Sequence, residues 1–117
     1  MQFHGVDVPK QFRRMKDLAP EAFRAFLEFD KKAFQPGALD PKTKELIALG
    51  IAHITQCPWC LDAHVKRAEK AGASEAELAE VVFVAMAMAA GAAWSHGGLM
   101  LQCQDASHAP SPAAEKP

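Results

Sequence analysis

Between Val81 and Leu101 the chain carries no Asp, Glu, Lys or Arg across 21 positions. A run of that kind has to be withdrawn from water, and it limits the possible folds more than any other feature. It is long enough to cross a bilayer. Ser95, His96 and the Gly97-Gly98 pair interrupt its distal third, however, and the unbroken apolar part, Val81 to Trp94, is only 14 residues long. That favours a helix buried on all sides over a membrane span. A second segment makes the same demand, because Leu46, Ile47, Leu49, Ile51 and Ile54 point almost all round their helix. With 117 residues there is room for one domain, and four or five helices offer too few neighbours to enclose both segments. The pattern therefore predicts a homo-oligomer with the 81–94 helix at or just behind the interface. Ala85, Ala87, Ala89 and Gly91 would let backbones approach closely there.

Composition agrees with a helical, globular chain. Half the residues are hydrophobic and 23% are charged, tyrosine is absent, and alanine, leucine and methionine are plentiful. Thirteen Lys and Arg against 14 Asp and Glu leave a net charge of -1, which excludes a whole-protein basic field for nucleic acid. MQFHGVDVPK lacks the basic start and apolar core of a signal peptide, and three cysteines cannot form a disulfide scaffold. These features together predict a cytoplasmic protein with no membrane or nucleic-acid partner.

The helix boundaries follow from capping chemistry. The segment through Leu18 reads as irregular, or as one short turn. Pro20 opens a helix bearing Phe23, Phe26, Leu27 and Phe34, a stripe that reads as core, and Pro36-Gly37 stops it. Asp40-Pro41 opens the next helix, through about Thr55. A third runs from Pro58 to a C′ glycine at Gly72. Ser74 and Glu77 form a capping box ahead of the apolar helix. Gly97-Gly98 is expected to bend or end that helix, Leu99–Gln102 to add another turn or two, and Asp105 onward to be a disordered tail.

Four residues carry the chemistry: Glu45, Cys57, Cys60 and His64. With Pro58 in the first turn, Cys57 is the N-cap and Cys60 lies one turn in. Both sulfurs then sit at the positive end of a helix, which favours a thiolate. Cys60 and His64 share a face one turn apart, so the imidazole can take a thiol proton. The two cysteines are close enough to form a disulfide. Glu45, with Leu49, Ala52 and Gln56 on its face, points into apolar surroundings and lies alongside His64 if the two helices are antiparallel neighbours.

Competing readings are simpler. Zinc could take Cys57, Cys60 and His64, with His53, His96 or Cys103 as a fourth ligand, but no second pair at finger spacing exists. Glu45 could be a salt-bridge partner of Lys42 or Lys44. His53 reads as a core or interface histidine, and His96 as a pocket-lining or helix-capping one. Cys103 reads as an apolar filler, and Trp59 as a shield for the cysteines or a packing group.

The pattern Glu45, eleven residues, Cys57-x-x-Cys60, three residues, His64, then Lys70-Ala-Gly-Ala-Ser-x-x-Glu77, resembles the alkylhydroperoxidase D (AhpD)-like branch of the carboxymuconolactone decarboxylase family. The resemblance implies an all-α compact bundle of four or five helices assembling as trimers or hexamers. It places an AhpD-like helical domain at 20–104, between an N-terminal extension at 1–19 and a flexible tail at 105–117. It also implies a thiol-dependent peroxidase or disulfide oxidoreductase needing neither cofactor nor metal. In this scheme Cys60 attacks a hydroperoxide, Cys57 closes the disulfide, Glu45 and His64 relay protons, and an external dithiol protein restores the thiols. The better-known peroxidase members have a histidine where this chain has Trp59, whereas lactone decarboxylases generally lack the cysteine pair. A lyase using Glu45 and His64, or a zinc-binding or thiol-sensing module, are the alternatives.

Overall fold

A computed structural model of the chain describes residues 2–110. A small antiparallel hairpin comes first, β1 (Gln2–Phe3) and β2 (Val6–Asp7), with Gln2 opposite Asp7 and Phe3 opposite Val6. Its two-residue turn uses positive φ at His4 and Gly5, 50° and 76°, the backbone sign that short hairpins require. Five helices follow: α1 (Val8–Leu18), α2 (Pro20–Phe34), α3 (Pro41–Thr55), α4 (Pro58–Lys70) and α5 (Glu75–His108).

Local chemistry explains most of these boundaries. The Asp40 carboxylate accepts the Thr43 N–H at 2.7 Å and starts α3. At the end of α4 the N–H of Gly72 returns to Glu69 and that of Ala73 to Ala68, a six-to-one closure that needs the positive φ of 97° at Gly72. The capping box forms reciprocally. Ser74 Oγ accepts from Glu77 N–H at 3.1 Å, and Glu77 Oε1 accepts from Ser74 N–H at 3.0 Å. The other Glu77 oxygen meets Lys42 at 3.0 Å and joins the starts of α3 and α5.

Two secondary-structure expectations are corrected. Residues 8–18 are three turns of helix, because Asp7 Oδ1 accepts from Lys10 N–H at 3.2 Å and Pro9 occupies the first turn. The last helix passes straight through Gly97-Gly98 to His108. Each glycine costs about 1 kcal/mol of helix propensity, too little to break a helix with long flanks. The segment read as a tail from 105 is thus helical in its first residues, while 111–117 lie outside the described residues.

The layout is open, and the expected compact bundle is not what one chain forms. α3 is the hub and packs against α2, α4 and α5. Its buried side chains are Glu45, Leu49 and Ala52, and Ala68 of α4 and Ala85 of α5 are the others buried among the described residues. Around this small centre the radius of gyration is 21.5 Å, against about 13 Å for a compact chain of this length. The accessible area is 9341 Å², against about 6,000 Å² for a compact chain of this mass. α5 is not enclosed. Only Ala85 is buried, while Met88 is 69% and Trp94 85% exposed. By length and apolarity alone α5 could also cross a membrane. The α2 stripe is likewise not core, since Phe26 and Leu27 are exposed and Phe23 and Phe34 are half-buried.

Candidate active site

The site is built by a two-residue connection, Gln56 and Cys57, between α3 and α4. α3 ends at Gln56, which takes a left-handed conformation (φ 56°, ψ 55°), a geometry that costs a non-glycine residue about 1 kcal/mol. The next N–H, that of Cys57, returns to the Ala52 carbonyl at 3.1 Å. Cys57 then caps α4, its sulfur accepting the Cys60 N–H at 3.2 Å. Because Pro58 has no N–H and a preset φ, the chain turns into α4 at once. Cys57 and Cys60 are joined as a disulfide across this first turn, with Cα atoms 5.2 Å apart.

The tight turn lays α3 and α4 side by side. Glu45, 7% exposed, meets His64 with Oε2 2.6 Å from Nδ1. An ionised carboxylate can only accept, so the ring N–H donates from Nδ1. That leaves Nε2 as the basic nitrogen, able to accept a proton from a thiol. No buried side-chain nitrogen or oxygen among the described residues lacks a partner. Cys60 and His64 share a cavity of about 420 Å³ whose walls include Phe34, Leu39, Ile47 and Ile51. The arrangement is a polar end, disulfide and imidazole, on an apolar pocket.

The competing partners lie elsewhere. Lys42 pairs with Glu77, and Lys44 donates to backbone carbonyls, so neither forms a salt bridge with Glu45. His53 Nδ1 bonds its own helix at Leu49 O, 2.7 Å, and lines a separate cavity. His96 bonds back to Ala92 O at 2.9 Å on an exposed face of α5, neither lining the pocket nor capping a bend. Cys103 is free and exposed, which corrects its reading as an apolar filler. Among the described residues no three His, Cys, Asp or Glu side chains gather as a metal-binding group. Trp59 packs edge-on against Phe12 of α1, ring centroids 5.3 Å apart. Sequence reasoning missed three neighbours of the site: Phe12, Phe34 and Lys44. For Phe12 the signal was present in the helical spacing of Val8, Phe12 and Met15.

Comparison with known proteins places the chain in a family. Residues 20–99 match the carboxymuconolactone decarboxylase family, and the chain belongs to that family. An uncharacterised protein of the cox locus of Paracoccus denitrificans is 48% identical over 81 residues, 69% of this chain and 73% of the relative. An uncharacterised protein of Cupriavidus necator is 33% identical, over 74% of this chain and 76% of its own. Among solved structures, a carboxymuconolactone decarboxylase family protein from Legionella pneumophila superposes with a TM-score of 0.66 at 36% identity, covering 70% of this chain and 73% of that one. A Methanobacterium thermoautotrophicum protein gives a TM-score of 0.69 at 29% identity, covering 74% and 97%. The five-helix, all-helical architecture and the Cys-x-x-Cys pair are consistent with the AhpD-like branch. The family match starts at residue 20, so α1 lies outside it.

Proposed function

We propose that the chain is a thiol-dependent peroxidase acting through Cys60, Cys57, His64 and Glu45. The observation that carries this reading is the 2.6 Å Glu45–His64 hydrogen bond, one helical turn from a cysteine pair at a helix N-terminus. In the reduced protein His64 takes the Cys60 proton. The thiolate attacks the terminal oxygen of a hydroperoxide, the O–O bond breaks, and Cys60 becomes a sulfenic acid. His64 returns its proton to the departing alkoxide, releasing an alcohol. Cys57 then attacks the sulfenic sulfur, water leaves, and the disulfide closes. A dithiol protein regenerates both thiols by exchange and is itself oxidised to a disulfide. No cofactor or metal enters this scheme, and nucleic acid and membrane are not partners in it. The large apolar face of α5 supports a homo-oligomer in which another copy covers that face, the family resemblance supports a trimer or hexamer, and the compartment in this reading is the cytoplasm. Hydroperoxide consumption with a dithiol reductant tests the reading. It should vanish in Cys60→Ser and fall strongly in Cys57→Ser, and equal rates in wild type and Cys60→Ser would refute it. Activity on a small lactone-like acid that survives alkylation of both thiols would favour the lyase alternative.

A further inference from the structure

The end of α2 reaches the site through one side chain and is held there by another. Phe34 is the last residue of α2, and its ring stacks on the His64 imidazole with centroids 5.2 Å apart and planes 26° from parallel. The carbonyls on either side of it, those of Ala33 and Gln35, both accept hydrogen bonds from Lys44 Nζ, at 2.9 and 2.5 Å. This ammonium sits where the helix presents unpaired carbonyls and its negative pole, so position and charge agree. The α2–α3 turn closes around it, and a Cβ built on Gly37 would lie 3.7 Å from Nζ.

The contacts form a closed circuit. Lys44 fixes the backbone on both sides of Phe34, Phe34 covers one face of His64, and His64 donates to Glu45. Glu45 adjoins Lys44 in sequence on α3. A hydrogen bond at Nδ1 leaves the imidazole free to swing about the N–O line, and a flat neighbour on its face removes that freedom. We infer that Phe34 is a positioning residue that keeps the His64 ring from rotating about its hydrogen bond to Glu45, and that Lys44 acts on the same ring only through Phe34. This rests on the peroxidase reading only for its consequence at Cys60. The placement of the ring is independent of it.

Two readouts separate these layers: the His64 Nδ1 proton resonance, and peptide-resolved labelling of reduced Cys60 by iodoacetamide. Phe34→Leu keeps the apolar bulk without the flat ring, while Phe34→Tyr keeps the ring. The resonance should persist in wild type and Phe34→Tyr and broaden or disappear in Phe34→Leu. Cys60 labelling should slow about tenfold in Phe34→Leu, as expected for a misplaced proton acceptor, and change less than about twofold in Phe34→Tyr. Lys44→Met should act in the same direction but less, Lys44→Arg should restore the signal, and Phe34→Leu with Lys44→Met should be no slower than Phe34→Leu alone. If Phe34→Leu does not fold, the Lys44→Met and Lys44→Arg pair decides. An unchanged resonance and labelling rate in Phe34→Leu, or additive effects in the double variant, would overturn the inference. Wild-type protein that shows the expected resonances but consumes no hydroperoxide would refute the peroxidase reading and leave the positioning role standing.

Discussion

The α3–α4 hairpin and helix α5 answer the same problem, apolar surface in a small chain, to different degrees. Within the hairpin the two helices pack on each other, although Ile47, Ile51 and Ile54 of α3 stay exposed. Glu45 and His64 satisfy each other, Leu49, Ala52 and Ala68 are buried, and the turn between the helices is closed by backbone hydrogen bonds. α5 is longer than the rest of the chain can cover, about 51 Å at 1.5 Å per residue, and buries only Ala85. The difference separates two requirements. The chemistry at the Cys57–Cys60 turn is assembled from about twenty consecutive residues of one chain, whereas the withdrawal of α5 from water calls for more surface than one chain owns. The excess of accessible area over a compact chain, roughly 3,000 Å², is several times the about 800 Å² that a standard interface removes from each partner and is of the size that obligate assemblies bury.

That contrast can be broken from either side. The largest effect should come from Cys60→Ser, which removes the proposed attacking sulfur and should abolish hydroperoxide turnover while the mass by light scattering stays that of wild type. On the other side, Val84→Asp with Met88→Asp places charge on the exposed α5 face. Wild-type protein should scatter as a multiple of 12.7 kDa and the double variant as a smaller species, with helicity retained. A wild-type mass of one chain at micromolar concentration would contradict the assembly half of the comparison.

Smaller effects sharpen the description of the hairpin. Glu45→Gln keeps shape and a hydrogen-bonding oxygen but removes the carboxylate of the proposed relay. Turnover should drop by about 10²-fold, the lower end of the usual contribution from general acid–base groups, with little change in the unfolding midpoint. Overlaying rates for the two proteins would remove Glu45 from the relay. The smallest effect is that of acid on the helix starts. The Thr43 N–H holds the Asp40 carboxyl below its ordinary range, and the Ser74 N–H, with Lys42 beside it, does the same for Glu77. A lowered folded value means that stability is fully present above the unfolded carboxylate range, about pH 4 to 5. It is lost as pH falls through the folded values below that range. Acid unfolding followed by circular dichroism should therefore begin later in wild type than in Asp40→Asn, where this stabilisation is absent at every pH.

Much of the hairpin was legible in the sequence because its determinants are local. Asp40-Pro41, Cys57-Pro58, Gly72 and the Ser74–Glu77 box each specify a helix end through groups three or four residues apart, and the structure places α3, α4 and the start of α5 accordingly. The spacing of Glu45 and His64 was readable because two helices joined by so short a turn can only lie side by side. Phe34 and Lys44 were not readable as site neighbours. Phe34 belongs to a stripe in which Phe26 and Leu27 are exposed and Phe23 is half-buried, and nothing in periodicity distinguishes one phenylalanine from the next. Lys44 reaches back nine and eleven residues to carbonyls, and backbone acceptors leave no mark in side-chain identity. α1 was missed because the Asp7 cap and the Val8, Phe12, Met15 spacing were outweighed by nearness to the terminus. The course of α5 through Gly97-Gly98 was misjudged because a pair of glycines weakens a long helix without ending it.

If reactivity belongs to the hairpin and does not follow from exposure, the three cysteines allow a direct measurement within one molecule. Cys103 on α5 is free and exposed, while Cys57 and Cys60 are half-buried beside His64. Fully reduced protein treated with one equivalent of an organic hydroperoxide, then mapped by peptide mass, should lose two hydrogens between Cys57 and Cys60 while Cys103 remains a thiol. Oxidation of Cys103 as fast as, or ahead of, the Cys57–Cys60 pair would contradict the account.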